Sequence, residues 1–126
     1  LQIGHRAFEM VDHSPKKLAQ RVAEYGDDLV DYVLLDPSGG KGQPFDPECA
    51  RDYLRAIRDA GVDAGFGVAG GLCASTLNLV EPLVKEFPDL SIDAEGRLRD
   101  KDDHLDLDVA RAYMTGAWKL FGRRDL

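Results

Sequence analysis

The residues best suited to chemistry follow the apolar run Tyr32-Val33-Leu34-Leu35. Asp36 ends this run, and a loop containing three glycines separates it from the helix signal at Asp46: Gly39, Gly40 and Gly42. Glycine accepts positive φ and leaves its backbone amides accessible, so such a loop can wrap around an anion. The pattern therefore predicts a carboxylate beside an anion-binding loop. The structural alternative is a flexible connection followed by a capped helix, with a solvated aspartate.

A second glycine turn, Gly70-Gly71, leads into a helix that we predict to be capped by Ser75. The free amides and the positive dipole at the start of a helix favour a phosphate. The alternative is a tight turn that serves packing alone. Cys73 lies beside this turn without a histidine nearby in the sequence, which favours a structural thiol over a nucleophile.

A third polar group follows the last predicted strand. Asp93 and Glu95 are two residues apart and would point the same way from a strand, with Gly96 directly after them. Neither a histidine nor a third carboxylate stands at metal-binding spacing, so we predict no metal site. His5 and Glu9 follow the first predicted strand and are the polar residues of that loop.

Four strands must position these groups. We expect one over Leu1–Phe8, one over Tyr32–Asp36, one starting near Ala64 and one over Leu90–Asp93. Successive apolar residues, as in Val33-Leu34-Leu35, are typical of a parallel strand buried on both faces. The strands recur at intervals of roughly 30 residues, the length of one strand with its crossover helix.

Helices are predicted between and after these strands, with N-caps at Ser14, Asp46 and Ser75, a last helix from about Asp106, and glycine stops at Gly26 and Gly61. Pro82 predicts a kink or a short helix followed by a second one. Apolar residues at helical spacing mark the core-facing stripes: Leu18, Ala19, Val22, Ala23; Ala50, Tyr53, Leu54, Ile57; Leu79, Leu83, Val84, Phe87; and Val109, Tyr113, Met114, Ala117, Leu120, Phe121.

Repeated βα units predict parallel strands joined by right-handed crossovers. An open parallel sheet with helices and an eight-stranded barrel both use this pattern. A complete barrel takes about 250 residues, so we expect residues 1–126 to be one domain, an α/β half of a TIM-type (βα)8 barrel, with the open parallel sheet as the alternative. In either fold the loops that follow the strands share one edge, where the polar groups converge.

The composition of the chain limits the classes of partner that we expect it to bind. The 126 residues contain 16 basic and 23 acidic side chains, a net charge of −7. This charge argues against nucleic acid or an anionic membrane as the main partner. We expect a cytoplasmic protein, because no apolar run reaches the roughly 18 residues of a membrane span and the two cysteines form no disulfide framework. Since Leu1 is not an initiator methionine, we also expect a longer parent chain.

Four segments together resemble the C-terminal half of phosphoribosylanthranilate isomerase, a single-domain (βα)8 barrel of tryptophan biosynthesis. They occur in the family's order and spacing and cover nearly all of the chain: Tyr32-Val33-Leu34-Leu35-Asp36, then Gly39-Gly40-Lys41-Gly42 with Phe45-Asp46, then Val68-Ala69-Gly70-Gly71-Leu72, and finally Ile92-Asp93 before Gly96.

The resemblance implies an intramolecular oxidoreductase that carries out an Amadori rearrangement of a phosphoribosyl amine, without metal or cofactor. A general acid opens the ribose ring and a general base removes a proton from the adjacent carbon. The family's acid maps onto Asp36, and its phosphate site maps onto Gly39, Gly40, Gly70, Gly71 and the Gly96 turn. His5, Lys41, Asp93 and Glu95 complete the predicted mouth.

The chain departs from the family at several mouth positions. Lys41 replaces a small hydroxyl residue, Gln43 replaces a lysine, and Glu95 stands where the family has serine. The family's base is a cysteine that ends its first strand, in the half of the barrel that these residues lack, and neither cysteine of this chain takes its place.

We therefore expect residues 1–126 to be inactive alone and to need the remaining N-terminal half-barrel or a second copy. The alternative is a diverged, non-catalytic barrel that binds a small phosphorylated metabolite.

Overall fold

The computed structural model describes residues 1–26, 28–38 and 44–122. Its four strands form one parallel sheet in the order β1-β2-β3-β4, with β1 at Gln2–Gly4, β2 at Tyr32–Asp36, β3 at Gly65–Ala69 and β4 at Ser91–Asp93. The helices are α1 His5–Met10, α2 Pro15–Ala23, α3 Pro47–Asp59, α4 Glu81–Glu86 and α5 Leu107–Leu120, with 3-10 helices η1 Ala74–Leu79 and η2 Gly96–Leu98. The prediction of an α/β fold with parallel strands is confirmed.

The helices pack on one face of this sheet. The strand register aligns Ile3 with Leu35, Leu35 with Val68 and Val68 with Ile92, and neighbours in such a row point to the same face. This row belongs to the core that the helices bury. The adjacent row, which points to the opposite face, contributes no side chain to the core cluster of the described residues: Gln2, Leu34, Gly67 and Ser91. We call that opposite side the uncovered face.

Tyr32 lies across the glycines of β3 on the uncovered face. A Cβ atom at Gly65 would lie 2.4 Å from Cε2 of Tyr32, and one at Gly67 would lie 3.2 Å from Cε1. The Tyr32 hydroxyl donates to the carbonyl oxygen of Phe66 at 2.8 Å and is hydrogen-bonded to Ser91. The glycines of this strand therefore give room to an aromatic ring that reaches from β2 towards β4.

The predicted N-caps at Ser14 and Asp46 are confirmed, and the last helix begins near Asp106 as predicted. The Ser14 hydroxyl accepts the amide of Lys17 at 3.2 Å, and the Asp46 carboxylate accepts the amide of Cys49 at 3.1 Å. Asp106 accepts two amides at the start of α5. These caps satisfy donors that the first helical turn leaves unpaired. Gly26 and Gly61 have φ of 75° and 81° after α2 and α3, as predicted for helix stops.

The predicted strand over Leu1–Phe8 is wrong beyond Gly4, because α1 begins at His5. Phe8 is buried and its ring packs edge-on against that of Tyr53, with centroids 4.7 Å apart. Both Phe8 and Val11 are buried, and they are three residues apart, which is helical spacing. The burial of these two residues is therefore the physical reason that a helix replaces the second half of the predicted strand.

The helix after β3 also begins differently from the prediction. Cys73, not Ser75, is the N-cap, and η1 is a 3-10 helix. Thr76 causes this early start, because its hydroxyl accepts the Cys73 amide at 2.9 Å while its own amide donates to the Cys73 carbonyl. The predicted break at Pro82 is confirmed, since η1 ends at Leu79 and a separate α4 carries the proline in its first turn.

The last helix follows the prediction with one exception. Tyr113 and Ala117 are buried, but Met114, predicted to face the core, is 48% exposed. Met114 follows Tyr113 by one residue, a rotation of about 100° around the helix that turns it out of the core. No helix in the described ranges is long and apolar enough to cross a membrane.

Replacing Gly65 by alanine is expected to lower the free energy of unfolding by about 1–3 kcal/mol, because the new Cβ would press on the Tyr32 ring. Urea denaturation measures this loss. Gly4→Ala is the control, since a Cβ there meets nothing within 4 Å. In the double variant Tyr32→Leu/Gly65→Ala, the loss of unfolding free energy should be smaller than the sum of the losses in the two single variants. Equal losses for the two glycine variants would contradict the packing of Tyr32.

Candidate functional site

A cavity of about 370 Å³ lies at the C-terminal edge of the sheet. Residues that follow β2, β3 and β4 line it, together with Gln2 from β1. Six of the predicted site residues come together here: Asp36, Gly70, Gly71, Asp93, Glu95 and Gly96. The convergence follows from the parallel sheet, which brings the ends of all strands to one edge.

Of the other predicted site residues, one lies outside this lining and three are not among the described residues. His5 is the first residue of α1, directly after β1, and does not line the cavity. Gly39, Gly40 and Lys41 lie outside the described residues, together with Gly42 and Gln43.

Asp36 is held at the cavity by two side chains. The Ser38 hydroxyl donates to Oδ1 at 2.9 Å, and Nε2 of Gln2 donates to Oδ2 at 3.5 Å. The first contact comes from the turn after β2 and the second from the neighbouring strand β1. The carboxylate therefore has a fixed orientation at the end of β2.

A glycine is favoured at position 70, next to the hydrogen-bonded side chains of Ser38 and Asp36. Its φ of +111° is unfavourable for other residues, and an added Cβ would lie 3.1 Å from Cβ of Ser38 and 3.4 Å from Oδ1 of Asp36. The glycine thus lets the turn after β3 approach the carboxylate of β2. A larger residue would displace Ser38 or Asp36.

The Gly71 turn is joined to η1. Gly71 has φ of +64°, and its carbonyl accepts the Thr76 hydroxyl at 3.1 Å. The predicted helix dipole contributes little here, because η1 has six residues in 3-10 geometry and the Cys73 amide already donates to Thr76. The backbone of the glycine turn is therefore part of the polar lining of the cavity.

The acidic and basic side chains that line the cavity lie at different places. Asp36 and Asp93 lie in one row of the sheet with Ala69 between them, so their backbones are roughly 10 Å apart. Glu95 forms an ion pair with Arg99 at 3.0 Å. Arg97 is the cation among the described lining residues. The cavity therefore has an acidic side at the sheet and a basic side at η2.

Sequence inspection missed the environment of Cys73. Burial raises the pKa of this thiol, but hydrogen bonds with Ser75, Thr76 and Arg97 outweigh that effect and lower the pKa to about 7. The contact is tertiary, because Arg97 belongs to η2 and Cys73 to the turn after β3. By contrast, burial and the nearby carboxylates of Asp46 and Asp52 raise the pKa of Cys49.

Tyr113 was predicted only as a core residue. Its ring is buried, and its hydroxyl has no hydrogen-bond partner among the described residues. Burial and the negative charge of Asp93 raise the pKa of this phenol to about 12. The hydroxyl therefore stays protonated beside the acidic side of the cavity.

Comparison of the chain with protein-family models, with curated proteins and with solved structures found no match. The described residues also contain no group of three or more histidine, cysteine, aspartate or glutamate side chains that could hold a metal ion.

Cys73 should react with iodoacetamide at a rate that rises through a midpoint near pH 7, because the thiolate is the nucleophile. The rate is measured in a Cys49→Ala variant, which leaves Cys73 as the reacting thiol. Arg97→Gln should move the midpoint to higher pH, since it removes a donor to the thiolate. The control Arg111→Gln should leave it unchanged. A midpoint near the ordinary thiol value of about 8.5 would contradict the assigned environment.

Proposed function

We propose that the cavity is the ligand-binding mouth of a half-barrel similar to the C-terminal half of phosphoribosylanthranilate isomerase, and that its ligand is a phosphorylated sugar amine. One observation carries this proposal. Asp36, the Gly70-Gly71 turn and the Gly96 turn, which the resemblance assigns to one site, line one cavity together with Arg97.

The order of the strands supports a half-barrel. Each strand pairs with the next one along the chain, without the reversal of direction that a doubly wound sheet contains. With right-handed crossovers, this order places every crossover helix on the same face. The uncovered face that results corresponds to the interior side of a barrel.

The basic side of the cavity suits a phosphate. Backbone amides of the Gly71 and Gly96 turns and the guanidinium of Arg97 are the types of donors that bind phosphate oxygens. The Glu95 carboxylate departs from the family at this point, but its ion pair with Arg99 offsets its charge. A phosphate at this end would meet the guanidinium of Arg97, which also forms a hydrogen bond with Cys73.

The acidic side suits the sugar. In the proposed reaction Asp36 donates a proton to the ring oxygen, and the bond between this oxygen and the anomeric carbon breaks to leave an iminium. A base then removes a proton from the adjacent carbon, which gives the enol-amine. Substrate and product have the same atoms, so no oxidant or cofactor is consumed. The base comes from outside the described lining.

A second candidate is a binding protein that holds a phosphorylated metabolite without turnover. The acidic lining favours it, because three carboxylates face the cavity and Glu95 replaces a family serine. Turnover of a phosphoribosyl aryl-amine by the complete barrel separates the two candidates.

Ribose 5-phosphate should bind the protein more tightly than ribose in a calorimetric titration, because the phosphate meets the glycine turns and Arg97. Arg97→Gln should weaken binding about tenfold, which corresponds to about 1.4 kcal/mol. Arg111→Gln, a surface arginine of α5, is the matched control. Equal affinity for ribose and ribose 5-phosphate would contradict the phosphate site.

Gly71→Asp should abolish ribose 5-phosphate binding, since it places a carboxylate in the turn and strains a backbone of φ +64°. Asp36→Asn should change the affinity for ribose 5-phosphate by no more than about twofold, although it removes the proposed proton donor. Unchanged binding by the Gly71 variant would exclude this turn as the phosphate contact.

A further inference from the structure

Asp36 and Asp93 line the cavity without a cationic partner among the described residues. The donors that hold Asp36 are both neutral, the hydroxyl of Ser38 and the side-chain amide of Gln2. The Asp93 carboxylate forms no hydrogen bond and no ion pair within the described ranges. A ligand that enters the cavity therefore meets two negative charges that this part of the chain does not compensate.

The same two carboxylates face one side of the sheet. Each follows a residue of the uncovered face by two positions, Leu34 on β2 and Ser91 on β4. Side chains two positions apart in a strand point to the same face. Ala69 of β3 lies between them, so their backbones are roughly 10 Å apart. This spacing leaves room for one small ligand group between the carboxylates.

The side chain of α5 that is influenced by the charge of Asp93 is neutral. Tyr113 is buried, and its hydroxyl has no hydrogen-bond partner in the described part of the chain. Because burial and the negative charge of Asp93 raise the pKa of this phenol to about 12, it stays uncharged at neutral pH. Tyr113 therefore gives Asp93 a neutral neighbour instead of a compensating cation.

The positive charge of the described lining lies at the other end of the cavity. Arg97 belongs to η2, and Glu95 beside it is paired with Arg99 at 3.0 Å. An anionic group of a ligand is thus favoured near η2. A second anionic group on the same ligand would face Asp36 and Asp93 and be repelled.

We propose that the sheet side of the cavity is a cation subsite, in which a basic nitrogen of the ligand lies between Asp36 and Asp93 while the phosphate lies near η2. Ionised carboxylates accept strong hydrogen bonds from an ammonium group. Amines that carry a carboxylate of their own are selected against. This inference rests on the proposed function and deepens it by naming the charge of the amine.

The subsite also suits an amine that becomes charged during the proposed reaction. When Asp36 gives its proton to the ring oxygen, the bond between this oxygen and the anomeric carbon breaks, and the nitrogen lone pair forms the C=N bond of an iminium. The positive charge of the iminium then lies beside two carboxylates, Asp93 and the deprotonated Asp36. Negative charges that are fixed in advance next to a developing cation lower the barrier to its formation.

Three sugar phosphates of similar size test the charge preference by calorimetry. Glucosamine 6-phosphate carries a cation when its amine is protonated at mildly acidic pH, glucose 6-phosphate has a hydroxyl at that position, and 6-phosphogluconate carries a carboxylate. Glucosamine 6-phosphate should bind about tenfold more tightly than glucose 6-phosphate, the gain typical of a hydrogen bond to a charged group. The compound 6-phosphogluconate should bind most weakly, and added salt should reduce the differences.

Asp93→Asn keeps the size of the side chain and removes its charge. In this variant the preference for glucosamine 6-phosphate over glucose 6-phosphate should fall to about twofold or less. Asp52→Asn is the matched control, because it removes the same charge from an exposed position of α3 and should keep the preference. An unchanged preference in the Asp93 variant would overturn the assignment of the subsite.

Glucose and glucosamine without phosphate separate this inference from the proposed function. If glucose 6-phosphate binds more tightly than glucose, but no more weakly than glucosamine 6-phosphate, the cation subsite is overturned and the phosphate site stands. If glucosamine binds more tightly than glucose and the phosphate adds nothing, the phosphate site is overturned and the cation subsite stands. Failure of all four compounds to bind would overturn both.

Discussion

The parallel order of four consecutive strands is the constraint on which the rest of this structure depends. Every crossover turns back to the next strand in the same direction, so right-handed connections place the helices on a single face. Ile3, Leu35 and Val68 are buried there against the helices. In the part of the chain that the structure describes, the opposite face has no such cover, and Tyr32 lies over the glycines of β3 on that face.

The same strand order places the polar residues of the candidate site at one edge of the sheet. Asp36, Asp93 and the Gly70-Gly71 turn come from three different strands, yet they line one cavity because parallel strands all end at the same side. The turn after β3 also lies close to the end of β2. A Cβ at Gly70 would lie 3.1 Å from Cβ of Ser38 and 3.4 Å from Oδ1 of Asp36, so the turn after β3 packs closely against this carboxylate.

The electrostatics of the cavity depend on pairings between elements. Arg99 pairs with both Glu95 and Asp103 within the segment after β4, while Arg97 lines the cavity and forms a hydrogen bond with Cys73. The result is a mouth with an acidic side and a basic side. That polarity favours a ligand with a phosphate at one end and hydroxyl or amine groups at the other, and it is the physical basis of the proposed function.

The sequence by itself determined the repeated strands and helices, the caps at Ser14 and Asp46, the start of the last helix near Asp106, and the helix stops, because caps and stops depend on residues only a few positions apart. It also placed Asp36 and Gly70 at strand ends. Only the tertiary structure decided that β1 stops at Gly4, since the burial of Phe8 against Tyr53 involves residues distant in sequence. Likewise, Gly65 is crowded by Tyr32 of the neighbouring strand, and Cys73 gains its contact with Arg97 from the segment after β4.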